Sequence, residues 1–255
     1  MKVIYHNRFT DSDYSGDPAA EEGRIQSIIE VLRNRSELEF FEPEEAKREV
    51  IELVHSTEHV QSIKQRSKKL YEMSKLSAGG AVTAARAACD GTPTFALIRP
   101  PGHHASPDSN WGFCYFNNMA IALESLKDAG KIKKAFVMDF DLHTGDGNIN
   151  CLESDRNIKV LNPSGEGRED YMKKVENELE TDEEYDILGV SAGFDLHVKD
   201  WGGKLKTEDY RRLGEMLKEF SERACGGRRF ALLEGGYNQR VLGKNVLEFI
   251  EGFSD

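Results

Sequence analysis

No apolar run in this 255-residue chain approaches 18 residues, so no membrane-spanning helix is expected. The opening segment, MKVIYHNRF, lacks the apolar stretch of a secretory signal. Cysteine is scarce and unpatterned. Cys89, Cys114, Cys151 and Cys225 show no Cys-x-x-Cys spacing and read as free thiols of a reducing, cytoplasmic location. Positive charge is in deficit too. With 34 Lys+Arg against 45 Asp+Glu, the net charge is −11. That argues against nucleic acid as a partner, because a binder needs a basic face to displace counterions. The same balance tolerates a cationic small molecule or a lysine-rich tail. Repeats, low-complexity tails and flexible linkers are absent. Gly145-x-Gly147 and Gly165-x-Gly167 are too sparse for a nucleotide loop. One domain spanning residues 1–255 is the economical reading.

What is present is alternation. Short β-rich apolar runs occur at Lys2–Tyr5, Thr94–Ile98, Ala135–Phe140, Ile158–Leu161, Ile187–Ser191 and Phe230–Leu233. Between them lie segments of helical period, at Glu21–Asn34, Pro43–Val54, His59–Lys68, Gly79–Cys89, Asn118–Ala129, Glu169–Glu180 and Glu208–Ala224. Continuous apolar strands separated by amphipathic helices predict an α/β fold, a central parallel sheet with helices on both faces.

Four of those strands run into polar clusters at their C-terminal ends. FALIRPPGHH delivers His103 and His104, and AFVMDFDLHTGDG delivers Asp139, Asp141, His143 and Asp146. DILGVSAGFD delivers Asp195, and FALLEGGY delivers Glu234 and Tyr237. Ligand sites of open parallel sheets form beyond the carboxyl ends of the strands, so a shared active site is expected there. In DFDLH, an extended backbone would turn Asp139, Asp141 and His143 to one side. Asp141 and His143 then form a local clip that Asp195 closes. Two carboxylates and an imidazole with an open position suit a catalytic divalent ion, most simply Zn²⁺, with Fe²⁺ or Mn²⁺ as alternatives. Two anionic ligands would acidify a bound water less than three imidazoles, so external bases are required. His103 and His104 can supply them. Asp139 and Asp146 are the carboxylates available to fix their tautomers. Tyr237, on a Gly235–Gly236 corner, can donate its hydroxyl to an oxyanion.

The set RPPGHH, GFCYFNN, DFDLHTGDG, SAGFD and EGGY resembles the histone deacetylase family, which includes acetylpolyamine amidohydrolases and acetoin-utilisation proteins. VHSTEHV (Val54–Val60) and AGGAVTAA (Ala78–Ala85) add weaker support. The resemblance implies an arginase/deacetylase-like three-layer fold and removal of an acyl group, most simply acetyl, from a lysine-like or polyamine-like amine by metal-activated water. It implies Asp141, His143 and Asp195 as zinc ligands, and a potassium ion held beside Asp139, Asp141 and His143. His103 is implied as the electrostatic or acid partner paired with Asp139, and His104 as general base paired with Asp146. Tyr237 matches the carbonyl-polarising tyrosine. Gly112 and Phe113 are implied in substrate binding, Phe113 as one aromatic wall of the channel.

The chain departs from the pattern after its fifth strand, where IKVLNPSGEGREDY leaves neither the serine near the potassium nor a second channel aromatic to be mapped. Only Arg24 stands for the N-terminal His-Pro-Glu element. With Gly202 after Asp195, these gaps predict a shallower, more open pocket, rimmed by Pro107–Asn110 and Lys199–Lys204. Three alternatives remain. One is a non-catalytic acyl-ligand or partner-binding protein on this fold. Another is a serine hydrolase using Ser191 in Gly-x-Ser-x-Gly, which would want a helix after the serine and a later histidine. The third is a ureohydrolase, for which a second Asp-rich motif is missing.

Overall fold

The computed structural model describes residues 1–254. Seven parallel strands form one sheet: β1 (Lys2–Ile4), β2 (Glu39–Phe41), β3 (Thr94–Ala96), β4 (Ala135–Asp139), β5 (Ile158–Leu161), β6 (Ile187–Ala192) and β7 (Arg229–Leu233). Their order is β2-β1-β3-β7-β6-β4-β5. The four strands with polar ends, β3, β7, β6 and β4, are therefore consecutive neighbours in the middle of the sheet. The register keeps their ends level, with Asp139 opposite Ser191, Ala192 opposite Leu233 and Ala96 opposite Leu232.

Nine helices occur among the described residues: α1 (Arg24–Leu32), α2 (Arg48–Ile51), α3 (Thr57–Arg66), α4 (Lys68–Cys89), α5 (Asn118–Asp128), α6 (Asp146–Leu152), α7 (Arg168–Leu179), α8 (Thr207–Ala224) and α9 (Gln239–Phe253). The inner strands are buried on both sides, which is why they read as unbroken apolar runs. A Cβ on Gly189 would meet Met119 of α5 at 2.6 Å, so that side of β6 takes α5. The neighbouring register row faces the other way: Phe136, opposite Leu188, packs in a tilted pair on Phe220 of α8, ring centres 4.6 Å apart. Phe249 of α9 joins the same aromatic layer against Phe95, Phe140 and Phe194. None of the described helices is long and apolar enough to cross a membrane.

The predicted helix over Pro43–Val54 shrinks to one turn at Arg48–Ile51. The segment before it lies across α4, where a Cβ on Gly79 would fall 1.8 Å from the Glu44 carbonyl oxygen. The Ala46 N–H donates to the Lys75 carbonyl, 2.9 Å. Tertiary backbone pairing thus overrides local helical period. Conversely α4 begins at Lys68 rather than Gly79, capped by Ser67 Oγ accepting from the Leu70 N–H. Strand β2 was not predicted, because Glu39–Phe41 is an exposed edge; α6 and α9 were not predicted either.

VHSTEHV ties α3 to the loop that follows the paired histidines. His55 Nε2 accepts from the Asn117 N–H at 2.8 Å, and Nδ1 lies 3.3 Å from the Pro107 carbonyl. Burial, then the neighbouring His59, pushes His55 down to about 4. A folded pKa below the unfolded 6.5 stabilises above pH 6.5 and is lost as pH falls through about 4. His55→Gln, whose amide oxygen can still accept from Asn117, should therefore remove about 3 kcal/mol of the stability lost between pH 6.5 and 4. Thermal melts across that range measure it, and an unchanged pH slope would contradict it.

Candidate active site

The site is built on a braced corner. The Pro100 carbonyl accepts from Ser77 Oγ of α4 at 2.8 Å and from Asn118 Nδ2 of α5 at 3.1 Å. Glu234 at the end of β7 accepts from the N–H groups of Gly102 (2.7 Å) and His103 (3.2 Å), and its other oxygen accepts from Ser191 Oγ. Asn148 Nδ2 reaches both Ser191 Oγ and Asp139 Oδ2. Loop, strand ends and α6 are thus joined by one chain of buried hydrogen bonds.

From this corner both imidazoles enter the site, their ring centres 4.0 Å apart. His103 Nδ1 faces Asp139 Oδ2 at 3.1 Å, and His104 Nδ1 faces Asp146 Oδ1 at 2.6 Å. Their titrations are driven apart. Burial disfavours the His103 cation, but the charges of Asp141 and Asp139 outweigh it and hold the ring protonated well above the usual histidine range. Burial, and then the charge of His103, pushes His104 down to about 4. Two titratable neighbours held in opposite states are the arrangement that acid–base chemistry uses.

Asp141, His143 and Asp195 lie beside them, each with a donor atom within 4.8 Å of the others. His143 Nδ1 is 3.3 Å from Asp141 Oδ1 and 3.4 Å from Asp195 Oδ2. The extended geometry expected of DFDLH is corrected: β4 stops at Asp139, and residues 141–143 form successive bends. The Asp141 N–H donates to Asp139 Oδ1, and the His143 N–H to Asp141 Oδ1. This local folding sends Asp139 to His103 while Asp141 and His143 meet Asp195. The donors fit a divalent ion on two observations. Asp195 Oδ2 is buried and meets no polar partner except His143 Nδ1, 3.4 Å away and itself one of the three ligands. A Cβ on Gly235 would come within 2.5 Å of Asp141 Oδ2 and 2.7 Å of Asp195 Oδ2, so the cradle depends on glycine. Hydrogen bonds donated to the carboxylates of Asp141 and Asp195 raise His143 to about 10, placing positive charge between them.

A cavity of about 110 Å³ opens over this cluster, lined among others by His103, His104, Trp111, Phe113, Trp201 and Tyr237. Gly112, Gly235 and His143 also line it. Burial and the charge of Asp141 push the Tyr237 hydroxyl well above the tyrosine range, so it remains a donor. Its loop is gripped by Asp200 Oδ2, which accepts from the N–H groups of Tyr237 and Asn238 at 2.8 and 2.7 Å. Trp201 stacks flat on the Tyr237 ring, centres 4.0 Å apart. Trp111 and Trp201, both more than half exposed, therefore line the cavity. Sequence reasoning missed Trp111, although it directly precedes the GFCYFNN motif, and covered Trp201 only as part of a predicted rim. Of the predicted rim, Lys199–Lys204 contributes Trp201, whereas the Pro107 carbonyl turns away to accept from the Ser56 N–H.

With that geometry in hand, comparison with known proteins is specific. The sequence matches the histone deacetylase domain family over residues 19–163 and 156–253. The chain belongs to this family. Among its deacetylase relatives, a probable deacetylase of Archaeoglobus fulgidus is 27% identical over 293 residues, covering 92% of this chain and 81% of that one. A probable deacetylase of Methanothermobacter thermautotrophicus is 28% identical, covering 98% and 90%. A histone deacetylase-like amidohydrolase of Pseudomonas aeruginosa is 29% identical over 71% of this chain and 59% of that protein. The crystal structure of the HDA15 HD domain shares the fold, with a TM-score of 0.85 over 99% of this chain and 88% of that one at 23% identity.

Within this deacetylase-family fold, Ser191 is not at an elbow. It lies buried inside β6, bonded to Glu234 and Asn148, and the next helix starts only at Thr207. His197 faces Thr207 Oγ1 instead. A second cavity, about 90 Å³, borders the far side of the cluster, lined by Asp139, Asp141, His143, Thr144, Ser164 and Tyr171, with Lys204 among the remainder. The Asn162–Pro163–Ser164 segment follows β5 directly and brings Ser164 to this cavity; Asn162 Oδ1 accepts from the Gly145 N–H at 2.7 Å. The Tyr171 hydroxyl is buried there without a partner.

Proposed function

We propose that the protein is a zinc-dependent amidohydrolase that removes an acyl group, most simply acetyl, from a lysine-like or polyamine-like amine. The observation that carries this reading is the convergence on one cavity of a three-donor cluster, two imidazoles held in opposite protonation states and a protonated phenol. Asp141, His143 and Asp195 would hold the ion, and its chemistry when bound is that of a Lewis acid, polarising the acyl carbonyl and acidifying water.

His104, neutral near pH 7, accepts a proton from the attacking water through Nε2 while Asp146 holds Nδ1. Tyr237 donates its hydroxyl to the oxygen that gains charge as the tetrahedral carbon forms. His103, protonated and held by Asp139, adds positive charge beside that oxygen, and one of the two imidazoles returns a proton to the leaving amine. Phe113 and Trp201 flank the acyl-amine stem, with ring centres 6.5 Å apart. Gly112 keeps the loop tight against His104. A potassium ion would sit beside Asp139, Asp141 and His143, at the second cavity these residues line, with the Lys204 ammonium held nearby by the Gly165 carbonyl.

The reading is tested with a fluorogenic acetyl-lysine amide and a panel of longer acyl-lysines and acetylpolyamines. Tyr237→Phe should lower kcat by roughly 10² to 10³ with little change in KM, since the hydroxyl acts on charge present only in the transition state. A variant as active as the parent would remove Tyr237 from the mechanism. No turnover of any acyl-amine by metal-loaded protein would reject the function.

A further inference from the structure

We propose that Trp111 is a positioning residue that fixes the His104–Asp146 pair, its indole N–H on the carboxylate and its ring face on the imidazole. The proposal rests on the reading of His104 as general base. Trp111 Nε1–H donates to Asp146 Oδ2 at 2.8 Å, while Asp146 Oδ1 takes His104 Nδ1 at 2.6 Å. The indole ring centre lies 3.8 Å from that of His104, the planes 32° apart. Three side chains thus close a triangle in which each orients the other two.

The backbone is bent to make this possible. Gly112 has φ +60°, and Phe113 follows at +68°, the only non-glycine residue with positive φ among those described. A Cβ on Gly112 would sit 2.3 Å from His104 Cδ2, so only glycine lets the turn close over the imidazole. Asn110 Nδ2 and the Cys114 N–H lock the turn by donating to the Cys114 and Trp111 carbonyls. A strained conformation persists where its surroundings over-determine it, and here they place one indole on one imidazole.

The need for such a brace follows from exposure. The Asp146 side chain is 42% accessible, so water competes for the oxygen the indole occupies. A carboxylate free to turn would hold His104 less firmly in the tautomer that leaves Nε2 open. Trp111 is itself 52% exposed, and its role is not core packing.

Trp111→Phe keeps a ring and deletes the N–H. Expected is a fall in kcat of about tenfold, the size seen when an outer hydrogen-bond partner is lost, with KM within about twofold and an unchanged thermal melt. In an Asp146→Asn background the same substitution should add less than about twofold, because coupled residues are not additive. A second readout needs neither metal nor turnover. In ¹⁵N-labelled Trp201→Phe protein the single indole N–H resonance should be protected from solvent exchange, and Asp146→Asn should shift and expose it. A raised KM at unchanged kcat would make Trp111 a substrate platform and overturn the proposal. So would unchanged kinetics, a kcat loss that tracks a lowered melting temperature, or an indole resonance indifferent to Asp146→Asn. If the parent protein hydrolyses no acyl-amine, the functional reading fails while the resonance still judges the brace.

Discussion

Dialysis against a strong chelator should reduce hydrolysis of an acetyl-lysine amide to below about one-thousandth, and stoichiometric Zn²⁺ should restore it. The size follows from losing several kcal/mol of charge stabilisation at the reacting carbonyl. Asp195→Ala should match the chelated protein, because it removes one of the three side chains that would hold the ion. Activity that survives complete metal removal would end the proposed mechanism. Loading also has a proton signature. Hydrogen bonds donated to Asp141 and Asp195 raise His143 to about 10, so the ring is protonated at pH 7 at the Nδ1 that faces both carboxylates. An ion taking that position should release about one proton, measurable by titration calorimetry in buffers of different ionisation enthalpy. The sign of the stability effect follows. A histidine whose folded pKa is raised stabilises fully below its unfolded pKa of 6.5, and that contribution is lost as pH rises through about 10. The melting temperature of metal-free protein should fall between pH 7 and 10, and the zinc-loaded form should fall less.

His104→Ala should lower kcat by about 10³, within the range for general-base removal, and Asp146→Asn should follow by impairing tautomer control. The pH profile separates the two imidazoles. Burial and the charge of His103 hold His104 near 4, so the base form prevails above that value. The acid limb of kcat/KM should therefore be flat from pH 8 to 6 and fall only as pH drops through about 4. His103, held protonated well above 6.5 by the buried carboxylates Asp141 and Asp139 after burial is overcome, would as base give a rate that climbs through neutral pH. A profile rising steadily from pH 6 to 8 would reverse the assignment.

Much of this site was legible from strand ends. Because β3, β4, β6 and β7 are buried on both faces, their apolar runs stand out, and the polar residues that interrupt them mark the carboxyl edge. What stayed hidden was contributed by loops whose conformation depends on long-range contacts. Nothing local in DSNWGFC indicates that Trp111 reaches Asp146, 35 residues away. Nothing in VKDWGG indicates that Asp200 grips the Tyr237 loop. The assumed extended run through DFDLH failed for a related reason: side-chain carboxylates of Asp139 and Asp141 capture the N–H groups of Asp141 and His143 and bend the chain.

The sequence by itself determined the alternation of strand and helix, the acidic composition and the set of residue types brought to one sheet edge, since periodicity and residue chemistry are local properties. Only the tertiary structure decided how the imidazoles are driven to opposite charge states and what walls the cavity. Those outcomes depend on burial and on distances between residues far apart in the chain.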